Sequence, residues 1–126
     1  MALTMKKLGF VALAAMFFAL NACKNDDPSV IKIFVRKMGE NSLQPNARVV
    51  IIADVDSDPE TPPYVDTVIT NSSGFAYFEM DEFFDAMGKD QTTGYFDILV
   101  KKELEEGTGY MRARAHIVNV ETVYIE

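Results

Sequence analysis

The sequence predicts an all-β domain, an antiparallel β-sandwich of about seven strands with one short helix, preceded by a discarded leader. Three observations carry this. Short runs of alternating apolar and polar residues recur about every ten residues, separated by Gly, Asn, Asp and Pro clusters. One segment, Asp81 to Gly88, breaks the alternation. The only cysteine, Cys23, stands just after a basic start and an apolar run.

The first strand is Val30 to Arg36. Ile31, Ile33 and Val35 share one face at period 2, opposite Lys32 and Arg36. Gly39 to Ser42 is turn chemistry. Arg48 to Val55 is β-branched on both faces and reads as a central strand. Asp54 to Pro63 holds three aspartates, a glutamate and three prolines, an exposed loop. Tyr64 to Thr70 alternates again. Asn71 to Gly74 is a turn in which Gly74 supplies φ > 0, so that Phe75 to Met80 returns as a hairpin partner.

Asp81 is a candidate N-cap, Gly88 a candidate stop, and Phe83, Phe84 and Met87 fall on one side. This segment reads as a short helix whose aromatic pair plugs an open end of the core. Gly94 to Lys102 is a strand with Phe96, Ile98 and Val100 inward, and Glu103 to Gly109 an acidic hairpin loop. Tyr110 to Ile117 is a one-sided strand that places His116 outward beside Arg112 and Arg114. Asn119 to Glu121 reads as a break or bulge before Thr122 to Ile125.

The leader is informative. Lys6 and Lys7 make a positive start, and Met5 serves equally well as the initiator. Leu8 to Leu20 is an apolar run of 13 residues, the length of a signal-peptide core and short of the roughly 20 needed to span a bilayer. Leu20-Asn21-Ala22-Cys23 resembles the lipobox of bacterial lipoproteins, with Asn21 where that family usually holds a smaller residue. The resemblance implies cleavage between Ala22 and Cys23 and acylation of Cys23. A lone cysteine without a disulfide partner suits an exported chain in that role. Residues 1–22 are then signal peptide, 23–29 lipidated cysteine and flexible tether, and 30–126 one domain. Lys24, Asp26 and Asp27 also resemble the short acidic export signal of surface lipoproteins in Bacteroidetes-type bacteria. That implies an outer-membrane, surface-exposed address.

Charge narrows the partners. The leader holds two of the 12 basic residues and none of the 19 acidic ones, so the mature part stands at −9 against −7 for the whole chain. Such a chain is a poor nucleic-acid binder, which needs basic patches against phosphate. Anionic headgroups repel it, so lipid rather than charge provides the membrane attachment.

Pro45-Asn46-Ala47-Arg48-Val49-Val50-Ile51 and Thr70-Asn71-Ser72-Ser73-Gly74-Phe75-Ala76-Tyr77-Phe78 carry a second likeness. They resemble the strand rhythm of prealbumin-like, carboxypeptidase-regulatory-type immunoglobulin-fold domains. The resemblance implies a structural or binding module at a bacterial surface or on an outer-membrane receptor. An enzyme branch of that group, the transthyretin-like hydroxyisourate hydrolases, uses histidines and a Tyr-Arg-Gly-Ser tail. This chain has one histidine and reads Val123-Tyr124-Ile125-Glu126, so that chemistry does not carry over.

No catalytic set is legible. His116 has no identifiable partner for base catalysis, and His and Cys ligands for zinc are too few. Asp54, Asp56 and Asp58 can present oxygens to Ca²⁺, but Pro59 stands where an EF-hand loop needs its turn glycine and Val65 where it needs its bidentate Glu. The stretch reads as a solvated loop, with an irregular Ca²⁺ site as the alternative. Tyr64, Tyr77 and Tyr95 are candidates for stacking against a sugar. The expected function is a non-enzymatic, lipid-anchored binding or structural module, an accessory subunit partnered by an outer-membrane or surface protein. Capture of Ca²⁺ or a glycan through the loops is the alternative.

Overall fold

Apolar alternation becomes two sheets packed face to face. The computed structural model describes residues 26–126; the leader, its cleavage site at Ala22 and Cys23, and Lys24 lie outside the described residues. A three-stranded sheet has the order β4 (Phe75–Glu79), β1 (Val30–Lys37), β7 (Val118–Ile125). A four-stranded sheet has the order β3 (Val65–Ile69), β2 (Arg48–Ala53), β5 (Thr93–Lys102), β6 (Glu105–Arg114). This is the expected all-β sandwich, of the kind immunoglobulin-like domains adopt. Its ladders are antiparallel except β1 with β7, which run parallel from Val30 beside Val118 to Lys37 beside Ile125.

The inward set matches the period-2 reading. Ile31, Ile33 and Val35 meet Val49, Ile51, Phe96, Ile98 and Val100 in one buried core, joined by Phe78, Val123 and Ile125. Each such side chain contributes about 1.5–3 kcal/mol by leaving water. β2 is central, flanked by β3 and β5. That position accounts for its β-branched residues on both faces.

The helix α1 (Asp81–Met87) closes one end as expected. Phe83 and Phe84 are buried, and Phe83 lies 5.1 Å from Phe84, 5.2 Å from Tyr64 and 5.4 Å from Phe96 between ring centres. Asp81 is not the N-cap. Met80 holds that position without a side-chain bond, and the Asp81 carboxylate instead accepts the Ser29 N–H at 2.7 Å. The segment entering β1 therefore outcompetes the helix for this acid.

Three further expectations are corrected. First, β3 and β4 do not form a hairpin. The turn forms, with the Asn71 carbonyl accepting the Gly74 N–H and Gly74 at φ 78°, but it crosses from one sheet to the other. Buried Thr70 holds the end of β3 to the segment leading into β2, accepting the Ala47 N–H (2.8 Å) and donating to the Gln44 carbonyl (2.7 Å). The Gly74 carbonyl accepts from Val35, which delivers β4 to β1. Turn residues specify a reversal and leave the pairing partner open.

Second, Glu103 to Gly109 is not a loop. The reversal occupies only Glu103 and Leu104, with Glu103 at φ 55°, and β6 begins at Glu105. Gly107 and Gly109 are strand residues opposite Val100 and Ile98. They are glycines because β7 crosses close behind them. A Cβ on Gly107 would collide with the Tyr124 carbonyl, and one on Gly109 would sit 3.0 Å from Val123 Cγ2.

Third, β7 runs unbroken through Asn119, and the reversal comes earlier, at Ala115 to Ile117. Asn119 points inward and is buried. Its amide donates to the Val30 and Arg114 carbonyls (3.0 and 2.9 Å) and accepts the Arg114 N–H (2.9 Å). A polar residue at an inward position imitated a break.

Substituting Ala for Gly107 is expected to cost at least about 2 kcal/mol, because backbone on both sides must move. Asn119→Ala, which strips partners from buried backbone groups, is expected to cost about 2–3 kcal/mol. Urea unfolding of the domain measures both, and a wild-type midpoint for either variant would refute the corresponding packing.

Candidate functional site

The aromatic and acidic residues singled out in the sequence separate into three places. Tyr64 is half-buried against Phe83 and Phe96 (6.4 Å) and belongs to the core plug. Its hydroxyl donates to Asp66 at 3.3 Å, and burial first, then the Asp66 charge, raises its pKa. Tyr77 lies on the outer face of the three-stranded sheet. Tyr95 lies on the outer face of the four-stranded sheet, beside the acidic loop.

The Tyr95 cluster is the most organised. Ala53 ends β2, and the next residue, Asp54, donates its N–H to the Tyr95 carbonyl at 2.9 Å. On β6, Arg112 pairs with Tyr95 and Tyr110 with Asp97. Tyr95 and Tyr110 therefore sit diagonally on one face, and their rings stack at 6.2 Å and 24°. The Tyr110 hydroxyl donates to Asp54 Oδ2 at 2.7 Å, while Asp54 Oδ1 accepts the Asp56 N–H at 3.2 Å. Asp97 and Arg112 are exposed alongside. The arrangement offers two aromatic rings, carboxylates and a guanidinium on one open surface.

The loop beneath is exposed but tied down. Thr61 is buried and accepts the Tyr95 N–H at 2.9 Å, and Gln91 donates to the Glu60 carbonyl at 2.8 Å. Asp56 and Asp58 are exposed, and Asp54 is committed to Tyr110 and to its own loop. Among the described residues no group of three or more His, Cys, Asp or Glu side chains is placed to hold a metal ion. The three aspartates are neighbours in sequence that the structure does not bring together.

The outer face of the three-stranded sheet carries a second group that sequence reading missed. Lys32 lies over the ring of Phe75 (4.1 Å) and near that of Phe34 (5.1 Å), and the two rings are 5.5 Å apart. Tyr77, Val120 and Tyr124 extend this face and are about half exposed. The signal was present in the alternation of Lys32 with Phe34, whose partner on β4 becomes visible only with the register. On the other sheet, Arg48, Val50, Leu99, Lys101, Glu106 and Thr108 line a shallow depression of about 240 Å³.

His116 is not on a strand. It occupies the turn after β6 at φ 63°, where its N–H donates to Ser29 Oγ (2.8 Å) and its Nδ1 donates to the Asp27 carbonyl (3.0 Å). It fastens the tether. Asp26 and Asp27 themselves are exposed.

Comparison with known family models and with curated proteins found no match to this chain.

The hydrogen bond to Asp54, reinforced by lost hydration, pushes the Tyr110 pKa up to about 12. A pKa raised on folding gives stability that is whole below the ordinary phenol pKa near 10 and lost as pH climbs through about 12. Phenolate absorbance is therefore expected to show a component ionising near pH 12 that Tyr110→Phe removes. Persistence of that component in the variant would refute the Tyr110–Asp54 bond.

Proposed function

We propose that this chain is a bacterial lipoprotein of Bacteroidetes type, held in the outer membrane by acyl chains on Cys23 and exposed at the cell surface. Its sandwich, of prealbumin-like or carboxypeptidase-regulatory-like type, is a non-enzymatic binding or structural module that serves as an accessory subunit of an outer-membrane complex. The observation that carries the reading is the ordered run of Lys6-Lys7, the apolar stretch to Leu20, Ala22-Cys23 and a short acidic tether. Exposed Asp26 and Asp27 at the foot of the domain support the export signal. The aromatic outer face formed by Phe34, Phe75, Tyr77 and Tyr124 supports a protein partner, because interface cores are enriched in aromatic residues.

A second reading rests on the Tyr95–Tyr110 stack: a solitary surface lipoprotein that binds a glycan, with a ring as stacking platform and Asp97 and Arg112 as hydrogen-bonding groups. Ca²⁺ at Asp54, Asp56 and Asp58 is the other ligand of this reading.

Cys23→Ala is expected to release the protein from the membrane fraction in soluble, folded form. Retention of the variant in membranes would refute lipid anchoring. Gentle detergent extraction of the native lipoprotein separates the two functional readings. A stoichiometric outer-membrane protein is expected to accompany it if it is a subunit, and recovery of the domain alone, with glycan binding lost in Tyr110→Ala, favours the solitary form.

A further inference from the structure

The described part of the tether is fixed to one end of the sandwich by several bonds. Ser29 is buried and donates its N–H to Asp81. Its carbonyl accepts from Met80 (2.9 Å) and its hydroxyl from His116 (2.8 Å). The Asp27 carbonyl accepts from His116 Nδ1. The chain is thus held to the domain from Asp27 onward. Three residues, Lys24 to Asp26, separate Asp27 from Cys23, so the reach over the four steps between them is at most about 14 Å even when fully extended.

That end has a definite content. The start of β1 and β7, the end of β4 with α1, and the turn bearing His116 all lie there. So does the loop that follows β2, because β2 runs antiparallel to β5 and finishes beside the β5 start. Its exposed charge is predominantly acidic: Asp56, Asp58, Glu60, Glu82, Asp85 and Asp90 outnumber Lys89 and Arg114. The opposite end carries the Asn71–Gly74 turn and the Glu103–Leu104 reversal. There Lys37 pairs with Glu105 (3.1 Å) and Lys101 with Glu106 (3.7 Å), and Leu104 is 97% exposed. β5, ten residues long, joins the two ends across about 30 Å.

We infer that the anchored protein stands upright, with the α1 and acidic-loop end toward the lipid and the Glu103–Leu104 end outermost. The inference rests on acylation of Cys23. The chain is fastened to the domain from Asp27, so the short reach to Cys23 brings this end to the bilayer, and the length of β5 sets the Glu103–Leu104 end about 30 Å farther out. The lipid surface is the neighbour of the acidic end, which leaves the outer sheet faces and the Glu103–Leu104 end to a protein partner.

Because Cys23 is the only cysteine, an introduced cysteine is the single free thiol of the lipidated protein. Lys89→Cys at the acidic end and Leu104→Cys at the far end are exposed positions whose side chains make no hydrogen bond among the described residues. Each full-length lipoprotein is labelled with a fluorophore and reconstituted into phosphatidylcholine vesicles carrying a headgroup nitroxide. Quenching is expected to be several-fold stronger at position 89 than at 104. Equal quenching means that the domain lies on its side, and stronger quenching at 104 means that it is inverted; either overturns the orientation while the anchor stands. Failure of both proteins to float with the vesicles removes the anchor and the orientation together.

Discussion

The parallel ladder between β1 and β7 is the interaction on which the remaining architecture depends. β1 is the middle strand of its sheet, and its inner residues Ile31, Ile33 and Val35 are fully buried. β4 completes one side of it and β7 the other. Asn119 joins the Val30 carbonyl to both backbone groups of Arg114, so one side chain connects β1, β6 and β7 at the point where the two sheets meet. At the other end of that seam, Glu106 and Glu126 exchange backbone hydrogen bonds (3.1 and 3.2 Å). Between these closures β7 passes so near β6 that only glycine fits at 107. The four-stranded sheet is thereby held against the three-stranded one without any disulfide among the described residues.

Much of this fold was legible because burial imposes period 2. Inward positions in β1 and β5, the central place of β2 and the Phe83–Phe84 plug were all readable from alternation and residue type. What was not readable shares one cause: the information lies in a partner distant along the chain. Gly107 and Gly109 looked like loop residues because the strand that crowds them comes later. Asn119 looked like an interruption because its hydrogen-bonding partners lie up to 89 residues away. Asn71 to Gly74 announced a turn correctly, but Thr70 and Val35 decide which sheet receives the next strand.

The candidate sites divide in the same way. The acidic loop was visible as composition, yet the feature that organises it, the bond from Tyr110 to Asp54, spans 56 residues. Tyr95 was noticed singly, and its stacking partner emerges only when β5 and β6 are placed in register. Lys32 between aromatic rings depends likewise on the β1–β4 pairing. Local pattern shows which residues are exposed, whereas cross-strand register shows which of them act together.

The wiring of β1 to β7 has a consequence for how the chain reaches its native state. β1 is made early, but one side of it stays open until the strand that follows all the others arrives. The pairing of Val30 with Val118 makes this a ladder of long sequence separation, the kind of contact that slows folding across protein topologies. A partial chain that ends before β7 leaves one edge of β1 uncovered and lacks Val123 and Ile125 from the core. The sheet that β1 centres is accordingly completed only after every other strand has been made.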